Sequence, residues 1–252
     1  MEPIFRKQFT VEDIHADSSL RLKPSALLYF VQEAAGGHCL QLQLSWEDLA
    51  KRGLFWAVIR NRTQITRLPL SGETITVETW PMPTTRVAYP RSVIAYDALG
   101  QELFRSVSLW VLMDINDRAM ILPGKSGVEV NGLIRGNELK APGSLVPKPL
   151  ANTAQRHVYY SNLDRNGHMN NTFYMDWVAD LLDRSYHHSH TPREFTLCYL
   201  SEALEGQDIR LQWQLDGSGL LQVNGYREDT SVPGENHRVF SAQVMFEEDN
   251  SL

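Results

Sequence analysis

Apolar residues recur at helical spacing near the start of the chain and then alternate with polar residues at strand spacing. The helical pattern begins at Pro24, and Gly36–Gly37 are expected to end the helix. Strand-like runs separated by turns follow it. These runs cover residues 55–60, 72–80, 91–96 and 103–113. The first half therefore predicts one helix followed by several antiparallel strands.

The second half repeats this order of elements. A helix is expected from about Asn171 to Ser185, because its apolar residues again recur at helical spacing. The strand that starts at Gly206 resembles the one that starts at Gly72, with apolar positions matching at a constant offset. A repeat of this length indicates a duplicated domain, since solenoid repeats are only about 20–50 residues long. The strands of this half are expected at 195–202, 206–213, 220–227 and 237–247.

A glycine- and proline-rich segment separates the two halves. We interpret residues 124–150 as a partly mobile inter-domain linker between domains 1–123 and 151–252. The predicted fold class is α+β. It is a tandem (double) hot-dog fold, in which each half has a long helix wrapped by a curved antiparallel sheet.

Composition narrows the class of protein. The chain has 252 residues, of which 42% are hydrophobic, as in folded proteins with a sizeable core. A net charge of −6 argues against a nucleic-acid partner. Cys39 and Cys198 lie outside any CxxC motif, which argues against a disulfide framework. No apolar run approaches the ~20 residues of a membrane span, and residues 1–9 lack a signal-peptide core, so we expect a cytoplasmic protein.

The main cluster of reactive polar side chains lies just before the second predicted helix. Asp164, Asn166 and His168 alternate along a short segment that we expect to be extended or turning. Alternate residues of an extended segment point to the same side, so the three side chains would converge. A carboxylate, an amide and an imidazole can together hold a water molecule, polarise a carbonyl and move a proton. Asn170 and Asn171 follow, and the backbone N–H groups of a helix that starts there are candidates for an oxyanion hole. The same residues are also typical of an ordinary turn with a helix cap, and both interpretations stay open.

Four motifs together resemble the acyl-acyl-carrier-protein thioesterases of bacteria and plants. The strongest is Asp-Arg-Asn-Gly-His-Met-Asn-Asn at 164–171 with Tyr174 and Trp177 after it, which fits the family pattern Asp-x-Asn-x-His-x-Asn-Asn-x-x-Tyr-x-x-Trp. The other three are Tyr-Leu-Ser-Glu at 199–202, Phe-Trp-Ala-Val at 55–58 with the strand at 72–80, and Ser-Val-Ser-Leu-Trp-Val-Leu-Met at 106–113. The resemblance covers nearly the whole chain. It implies hydrolysis of fatty acyl-acyl-carrier protein to free fatty acid, which terminates fatty acid synthesis, and it implies no cofactor.

The resemblance also implies the roles of the site residues. Asp164 would be the key carboxylate, either as nucleophile or as general base, and Asn166 would hold the water or the thioester carbonyl. Glu202 would orient or charge-balance His168, or itself activate water. Plant members often have a cysteine directly after this glutamate, but this chain has Ala203, which excludes a thiol nucleophile at that position.

The first half is expected to supply most of the acyl pocket and part of the carrier-docking surface. Candidate pocket residues are Leu28, Val31, Phe55 and Trp56, although apolar residues at such positions more often fill a core. An acidic carrier protein would dock on basic side chains. The first candidates are Arg60 and Arg62, and Arg67, Arg86 and Arg91 are further cations in this half.

Other histidines are given structural or solvated roles. His187, His188 and His190 resemble a metal-binding tract, but a histidine run in a loop is usually solvated, and no metal is predicted. His38 is expected to be structural.

Three alternative functions remain open. The chain could be an acyl-coenzyme A thioesterase, a hydratase or dehydratase on the same scaffold, or a non-catalytic acyl- or carrier-binding module whose polar cluster is only a turn. The expected partner is acyl carrier protein, bound transiently as substrate. We expect no nucleic acid, no membrane span, and a monomer or homodimer.

Overall fold

The chain folds into two compact units, Met1–Pro142 and Gly143–Leu252. The computed structural model describes residues 3–228 and 236–249. Residues 1 and 2, which belong to the N-terminal segment considered above, lie outside the described part. The junction between the units falls inside the segment 124–150 that the sequence predicts as a linker.

The N-terminal unit places a long helix against an antiparallel sheet. Its strands are β1 (Phe5–Thr10), β2 (Leu54–Ile65), β3 (Thr74–Pro81), β4 (Tyr89–Tyr96), β5 (Glu102–Asp114) and β6 (Met120–Ile121). Its helices are α1 (Pro24–Gln41), α2 (Trp46–Ala50) and α3 (Pro123–Ser126). The strand order is β1-β3-β4-β5-β2, and β6 pairs with Leu112 and Met113 of β5. α1 packs against β1 and β3.

α1 does not end at the two glycines, so that prediction is wrong. The helix continues through Gly36 and Gly37 to Gln41, for 18 residues in all. A Cβ atom added at Gly37 would lie 2.6 Å from the ring of Phe5 in β1. Gly37 therefore lets a strand, absent from the sequence prediction, pack closely against the helix.

The segment that follows β6 packs on the N-terminal unit over much of its length. The N–H of Leu133 donates to the Pro81 carbonyl at 2.9 Å, and Arg135 donates to the Glu78 carboxylate at 2.7 Å. Val128 and Leu139 are buried. The unit accordingly extends to Pro142, beyond the predicted domain end at 123.

The C-terminal unit has the same architecture with shorter helices. Its strands are β7 (Asn152–His157), β8 (His190–Tyr199), β9 (Asp208–Leu215), β10 (Leu220–Glu228) and β11 (Asn236–Glu248). Its helices are α4 (Phe173–Ala179) and α5 (Arg184–Ser189). The strand order is β8-β11-β10-β9-β7, and all neighbours are antiparallel.

The single helix predicted from Asn171 to Ser185 is therefore wrong, because the structure has two short helices. α4 ends at Ala179, and α5 begins only after Asp183. The Asp183 carboxylate accepts a hydrogen bond from the Tyr186 N–H at 2.8 Å, which makes it the N-cap of a new helix. Aspartate competes for backbone donors in this way, so it favours a helix start over a helix interior.

The internal repeat and the fold class are confirmed. Gly72 and Gly206 both adopt positive φ, at 88° and 81°, just before β3 and β9. Each of these strands then pairs with the next strand along the chain. The chain is an α+β protein of the tandem hot-dog class. Within the described residues, no helix combines the length and the apolar character needed to cross a membrane.

Candidate active site

The predicted catalytic loop is a tight turn closed by its own backbone. Leu163 and Met169 form an isolated antiparallel bridge, and inside it the Asp164 N–H donates to the His168 carbonyl at 2.7 Å. Gly167 has a φ of +78°, which glycine adopts at no steric cost. Of the two predicted conformations, extended or turning, the segment therefore adopts the turn, and the convergence of all three side chains stays a prediction.

Asp164 and Asn166 are nevertheless brought together by the turn. The Asp164 Oδ1 atom accepts from the backbone N–H groups of Asn166, at 2.7 Å, and of His168, at 3.3 Å. Among residues 3–228 and 236–249, the only partner of Asp164 Oδ2 is the Asn166 Nδ2 atom, at 3.4 Å. One carboxylate oxygen thus holds the turn, and the other has lone pairs to spare.

His168 forms an ion-pair contact with Glu202. The His168 Nε2 and Glu202 Oε2 atoms lie 3.0 Å apart. The histidine is 9% exposed, and the glutamate side chain is 38% exposed. A nearly buried imidazole is therefore joined to a carboxylate that solvent can reach, which is an arrangement able to move a proton.

Glu202 is held by loop contacts and not by a strand, so its prediction as a strand residue is wrong. β8 ends at Tyr199, and Glu202 follows the turn beyond it. The Met169 N–H donates to the Ala203 carbonyl at 2.9 Å, which ties the two loops together. Arg227 Nη1 donates to the Glu202 carbonyl at 3.3 Å. These contacts fix the backbone on both sides of the His168–Glu202 pair.

The two asparagines after the loop have different surroundings. The Asn170 side-chain oxygen accepts from the N–H and the hydroxyl of Thr172, at 3.0 and 2.9 Å, so Asn170 stabilises a turn. The N-cap of α4 is Thr172, which corrects the predicted cap at Asn170. The Asn171 carbonyl accepts from the Tyr199 hydroxyl at 3.1 Å. In the described part of the chain, the Asn171 N–H has no hydrogen-bond acceptor, so it stays a candidate oxyanion donor.

A cluster of aromatic side chains surrounds Tyr174, which lies in α4 just after the loop. The Tyr174 ring contacts the rings of Phe240, Tyr199 and Trp177, with centroids 4.8, 5.5 and 5.8 Å away. Burial raises the pKa of Tyr174 far above its usual range, and the charges of Glu202 and then Asp164 raise it further. Burial likewise raises the pKa of Tyr199. Both phenols therefore stay protonated and can act only as neutral donors or acceptors.

The cysteines have structural surroundings. Cys198 is 1% exposed, and its thiol is 3.8 Å from the Gly143 carbonyl. Ala203, directly after Glu202, is fully buried. Cys39 is largely enclosed, and burial raises the pKa of its thiol.

The candidate residues of the N-terminal unit are mostly buried. Leu28, Val31 and Phe55 are 3–4% exposed. Trp56 belongs to a core cluster, because its Nε1 atom donates to the Leu44 carbonyl at 3.1 Å and its ring meets Tyr89 edge-on at 5.0 Å. That environment favours the core interpretation for Trp56.

Arg91 is not a docking residue, which corrects its place among the candidate cations. It is 7% exposed. Its Nη1 atom donates to His38 Nδ1 at 3.1 Å and to Thr79 Oγ1 at 3.2 Å. Burial lowers the pKa of this guanidinium. His38, which is fully buried beside it, has the structural surroundings that the sequence predicts. Arg60 is half-buried and donates to the Pro142 carbonyl at 3.4 Å.

The histidine run in the C-terminal unit is held by local contacts. His187 Nε2 lies 2.9 Å from the Ala179 carbonyl, and Arg184 donates to His188 at 3.1 Å. His190 stacks on Tyr186 with ring centroids 4.0 Å apart. Across the described residues, no three His, Cys, Asp or Glu side chains are grouped so that they could hold a metal ion.

The fold and the site geometry together define the class of protein. It is a tandem hot-dog protein whose second unit has two joined loops, and these loops carry a carboxylate–amide pair and a histidine–glutamate pair. Two family models match this chain. Residues 2–122 match the acyl-ACP thioesterase N-terminal domain, and residues 148–244 match the acyl-ACP thioesterase C-terminal domain. The chain belongs to the acyl-ACP thioesterase family.

Named relatives agree with this assignment. The chain is 25% identical to the chloroplastic palmitoyl-acyl carrier protein thioesterase of Gossypium hirsutum, over 83% of this chain and 54% of that protein. It is also 25% identical to the chloroplastic dodecanoyl-[acyl-carrier-protein] hydrolase of Umbellularia californica, over 89% of this chain and 65% of that protein. The chain therefore spans about half to two thirds of the length of these relatives.

The solved structures establish the fold. An acyl-ACP thioesterase from Bacteroides thetaiotaomicron superposes with a TM-score of 0.86 at 23% identity, covering 97% of this chain and 98% of that one. The 12:0-ACP thioesterase from Umbellularia californica superposes with a TM-score of 0.81 at 22% identity, covering 99% of each chain.

Two contacts around the site were missed by the sequence interpretation. The sequence interpretation names Tyr174 only as part of the family motif, and it does not name Arg227. The family pattern contains the tyrosine, but no spacing rule shows that its ring packs on Tyr199 and Phe240. Arg227 comes from β10, far along the chain, so only the fold brings it to Glu202.

Proposed function

We propose that this protein hydrolyses the thioester of fatty acyl-acyl-carrier protein and releases free fatty acid in the cytoplasm. The observation that carries the proposal is the 3.0 Å contact between His168 and Glu202 next to the Asp164–Asn166 turn. The family assignment and the activities for which the relatives are named supply the substrate class. The two free cysteines support a reducing compartment.

Glu202 is the group that activates water in this proposal. Asp164 Oδ1 is committed to two backbone N–H groups, whereas Glu202 is partly exposed and paired with an imidazole. Glu202 takes a proton from water as the water oxygen bonds to the thioester carbon, and the C=O π electrons move onto the carbonyl oxygen. Asp164 and Asn166 shape the loop, and Asn166 orients the water.

The second step releases the carrier thiol. The oxyanion electrons re-form the C=O bond, and the C–S bond breaks with its electron pair left on sulfur. The proton held by Glu202 passes through His168 to that thiolate, which returns both side chains to their starting state. The sum is thioester plus water to carboxylic acid plus thiol. Rapid acid quenching followed by mass spectrometry tests the alternative attack by Asp164, because an acyl adduct on the peptide with Asp164 would overturn the water route.

The substrate class is tested with matched acyl thioesters. The purified chain is incubated with a ladder of straight-chain acyl groups carried either on acyl carrier protein or on coenzyme A, and the freed acids are identified. We expect a higher kcat/KM for the carrier-bound series. Turnover of coenzyme A thioesters alone would make the chain an acyl-coenzyme A thioesterase, and no turnover of either series would leave the binding-module alternative.

The acyl pocket and the docking surface are further parts of this proposal. Leu28, Val31 and Phe55 are buried side chains of suitable chemistry in the N-terminal unit. Arg60 and Arg62 provide positive charge for an acidic carrier. Charge reversal at Arg60 and Arg62 should raise KM for carrier-bound acyl groups and leave small acyl thioesters unchanged, and an equal loss on both would contradict docking there. The state of assembly, monomer or homodimer, stays a prediction.

A further inference from the structure

The N-terminal unit contains a turn with the same backbone hydrogen bonds as the candidate catalytic turn. We call residues 17–21 the N-terminal turn and residues 164–168 the catalytic turn. The Asp17 N–H donates to the Arg21 carbonyl at 2.8 Å, as the Asp164 N–H donates at 2.7 Å across the catalytic turn. Asp17 Oδ1 accepts from two N–H groups of its own turn, at 2.7 and 3.0 Å, and Asp164 Oδ1 does the same. The two turns therefore have the same backbone arrangement.

The segments around the two turns match as well. A 3₁₀ turn precedes each of them, Asp13–His15 in the N-terminal unit and Tyr160–Asn162 in the C-terminal unit. After the N-terminal turn, the Leu22 N–H donates to the Pro69 carbonyl at 2.9 Å, which is the counterpart of the bond that ties the catalytic turn to the loop of Glu202. Corresponding positions of the two units can therefore be compared one by one, with position 17 matching position 164.

The first difference between the copies lies at the start of the 3₁₀ turns. The C-terminal unit has Tyr159 and Tyr160 there, which are 63% and 78% exposed, whereas the N-terminal unit has the exposed acids Glu12 and Asp13. The Tyr159 ring is tilted against the His157 ring, with centroids 4.7 Å apart. Within the described residues, the Tyr160 side chain makes no hydrogen bond and no ring contact. Two adjacent, largely exposed tyrosines are informative, because this residue is enriched at protein interfaces relative to the rest of the surface.

The second difference lies in the turns themselves. Arg165 is exposed and follows Asp164 directly, and the matching residue of the N-terminal turn is the exposed Ser18. The Leu163 N–H donates to the Tyr160 carbonyl at 3.1 Å, so the two tyrosines lead directly into the catalytic turn. At these three positions the N-terminal unit carries two negative charges, and the C-terminal unit carries one positive charge. The charge therefore changes sign on the copy that carries the candidate catalytic residues.

We propose that Tyr159, Tyr160 and Arg165 form a docking surface for the acidic acyl carrier protein. This inference rests on the proposed thioesterase function. The carrier must approach the site closely, since it holds the thioester that reacts there, and this surface adjoins the catalytic turn. The proposal concerns the C-terminal unit and adds to Arg60 and Arg62, whose charge reversal is a separate test.

The chemistry of this surface suits an acidic protein partner. Tyrosine rings supply apolar contact area and hydroxyl donors, and arginine pairs with carboxylates. The acids at the matching positions of the N-terminal unit would repel such a partner. A single arginine beside two tyrosines favours a protein over a membrane or a nucleic acid, because those are recognised through clusters of cations.

The first test is the double variant Tyr159→Glu with Tyr160→Asp in the full chain. Acids already stand at the matching positions of the N-terminal unit, so the backbone should accept them, and thermal melting checks this. We expect kcat/KM for a carrier-bound acyl group to fall at least about tenfold, mainly through KM. The same acyl group on pantetheine, which lacks the carrier protein, should change by less than about twofold.

The second variant, Arg165→Ser, introduces the residue of the N-terminal turn. It should raise KM for the carrier-bound substrate by about threefold or more and make that KM less dependent on salt, since a charge pair with the carrier is lost. A matched control is Leu99→Glu, which adds a negative charge at an exposed apolar residue in the turn between β4 and β5. This control should leave both substrates unchanged.

A binding measurement tests the surface without turnover. Isothermal titration calorimetry with unacylated carrier protein that bears its phosphopantetheine arm should give a Kd at least about tenfold higher for the double variant than for the wild type. An unchanged KM for the carrier-bound substrate, or an equal loss on the pantetheine substrate, would overturn the docking surface. A wild type that hydrolyses neither substrate would overturn the proposed function instead, and the calorimetry would then decide the docking surface by itself.

Discussion

Each unit of this chain buries a histidine, and the two histidines have opposite neighbours. His38 is fully buried at the end of α1 and accepts a hydrogen bond from the Arg91 guanidinium at 3.1 Å. His168 is 9% exposed and meets the Glu202 carboxylate at 3.0 Å. An imidazole beside a carboxylate can pass a proton to it, whereas a guanidinium offers no acceptor. Burial of a histidine alone therefore does not identify a catalytic centre; the partner does.

The helices of the two units also differ. α1 is one unbroken 18-residue helix whose buried face is largely apolar. The C-terminal unit divides its helical segment into α4 and α5 and places a polar turn in front of α4. The two units of the duplicated architecture therefore differ in their helices. The N-terminal unit has one continuous packed helix, and the C-terminal unit has shorter helices after the loop that carries Asp164 and His168.

The largest predicted difference is between two histidine variants. His168→Gln should lower kcat for acyl-carrier hydrolysis by roughly 1000-fold, because general acid–base groups contribute about 100- to 10,000-fold. His38→Gln keeps an acceptor for Arg91 and should change stability instead. Steady-state kinetics corrected for the folded fraction, with thermal melting of both variants, measure this contrast. If His38→Gln lost as much kcat per folded molecule, the buried cluster around Arg91 would take part in the reaction.

The sequence predicted the fold class well because it depends on repeated patterns. The glycine before β3 and before β9, and the strand periodicity after each, occur twice in the same order. The predictions failed where a long-range contact decides the outcome. At Gly37 the Phe5 ring leaves no room for a side chain, so this glycine stands inside the helix and does not mark its end. Helix boundaries near Asp183 depended on a competing cap that periodicity does not reveal.

The sequence predicted which residues form the candidate site, but it did not predict how they are arranged. The family motif identified Asp164, Asn166, His168 and Glu202. Their alternation left open whether the segment is extended or turning. In the structure a turn brings the first two together, and a second loop brings Glu202 to His168. The Ala203 carbonyl, which accepts from Met169, joins these loops through backbone atoms. Such backbone contacts carry no side-chain signal, so the sequence does not show them.

A second comparison concerns, in each unit, a glycine that lies against an aromatic ring and leaves no space for a Cβ atom. The larger effect on stability is expected in the C-terminal unit. A Cβ at Gly225 in β10 would lie 2.2 Å from the Phe240 ring, which is fully buried and packs on Tyr174. Gly225→Ala should therefore lower the free energy of unfolding by about 1–3 kcal/mol through overpacking, and it should also lower kcat by displacing Tyr174. Chemical denaturation and kinetics measure both effects.

The control for this variant lies in the hairpin between β9 and β10. A Cβ at Gly217 meets nothing within 4 Å, so Gly217→Ala should change the free energy of unfolding by less than about 0.5 kcal/mol. A Gly225→Ala protein with wild-type stability would show that the Phe240 ring moves freely, and the aromatic packing around Tyr174 would then not hold that ring in place.

The smallest effect is expected in the N-terminal unit, where adjacent glycines in α1 provide an internal comparison. A Cβ at Gly36 meets nothing within 4 Å, whereas one at Gly37 would lie 2.6 Å from the Phe5 ring. Alanine is favoured over glycine inside a helix by about 0.5–1 kcal/mol, so Gly36→Ala should stabilise the protein by that amount. Gly37→Ala gains the same propensity but must displace Phe5 in the terminal strand β1, and it should end near or below wild-type stability. Equal stabilisation by both variants in urea denaturation would mean that β1 does not pack on α1 closely enough to require glycine at position 37.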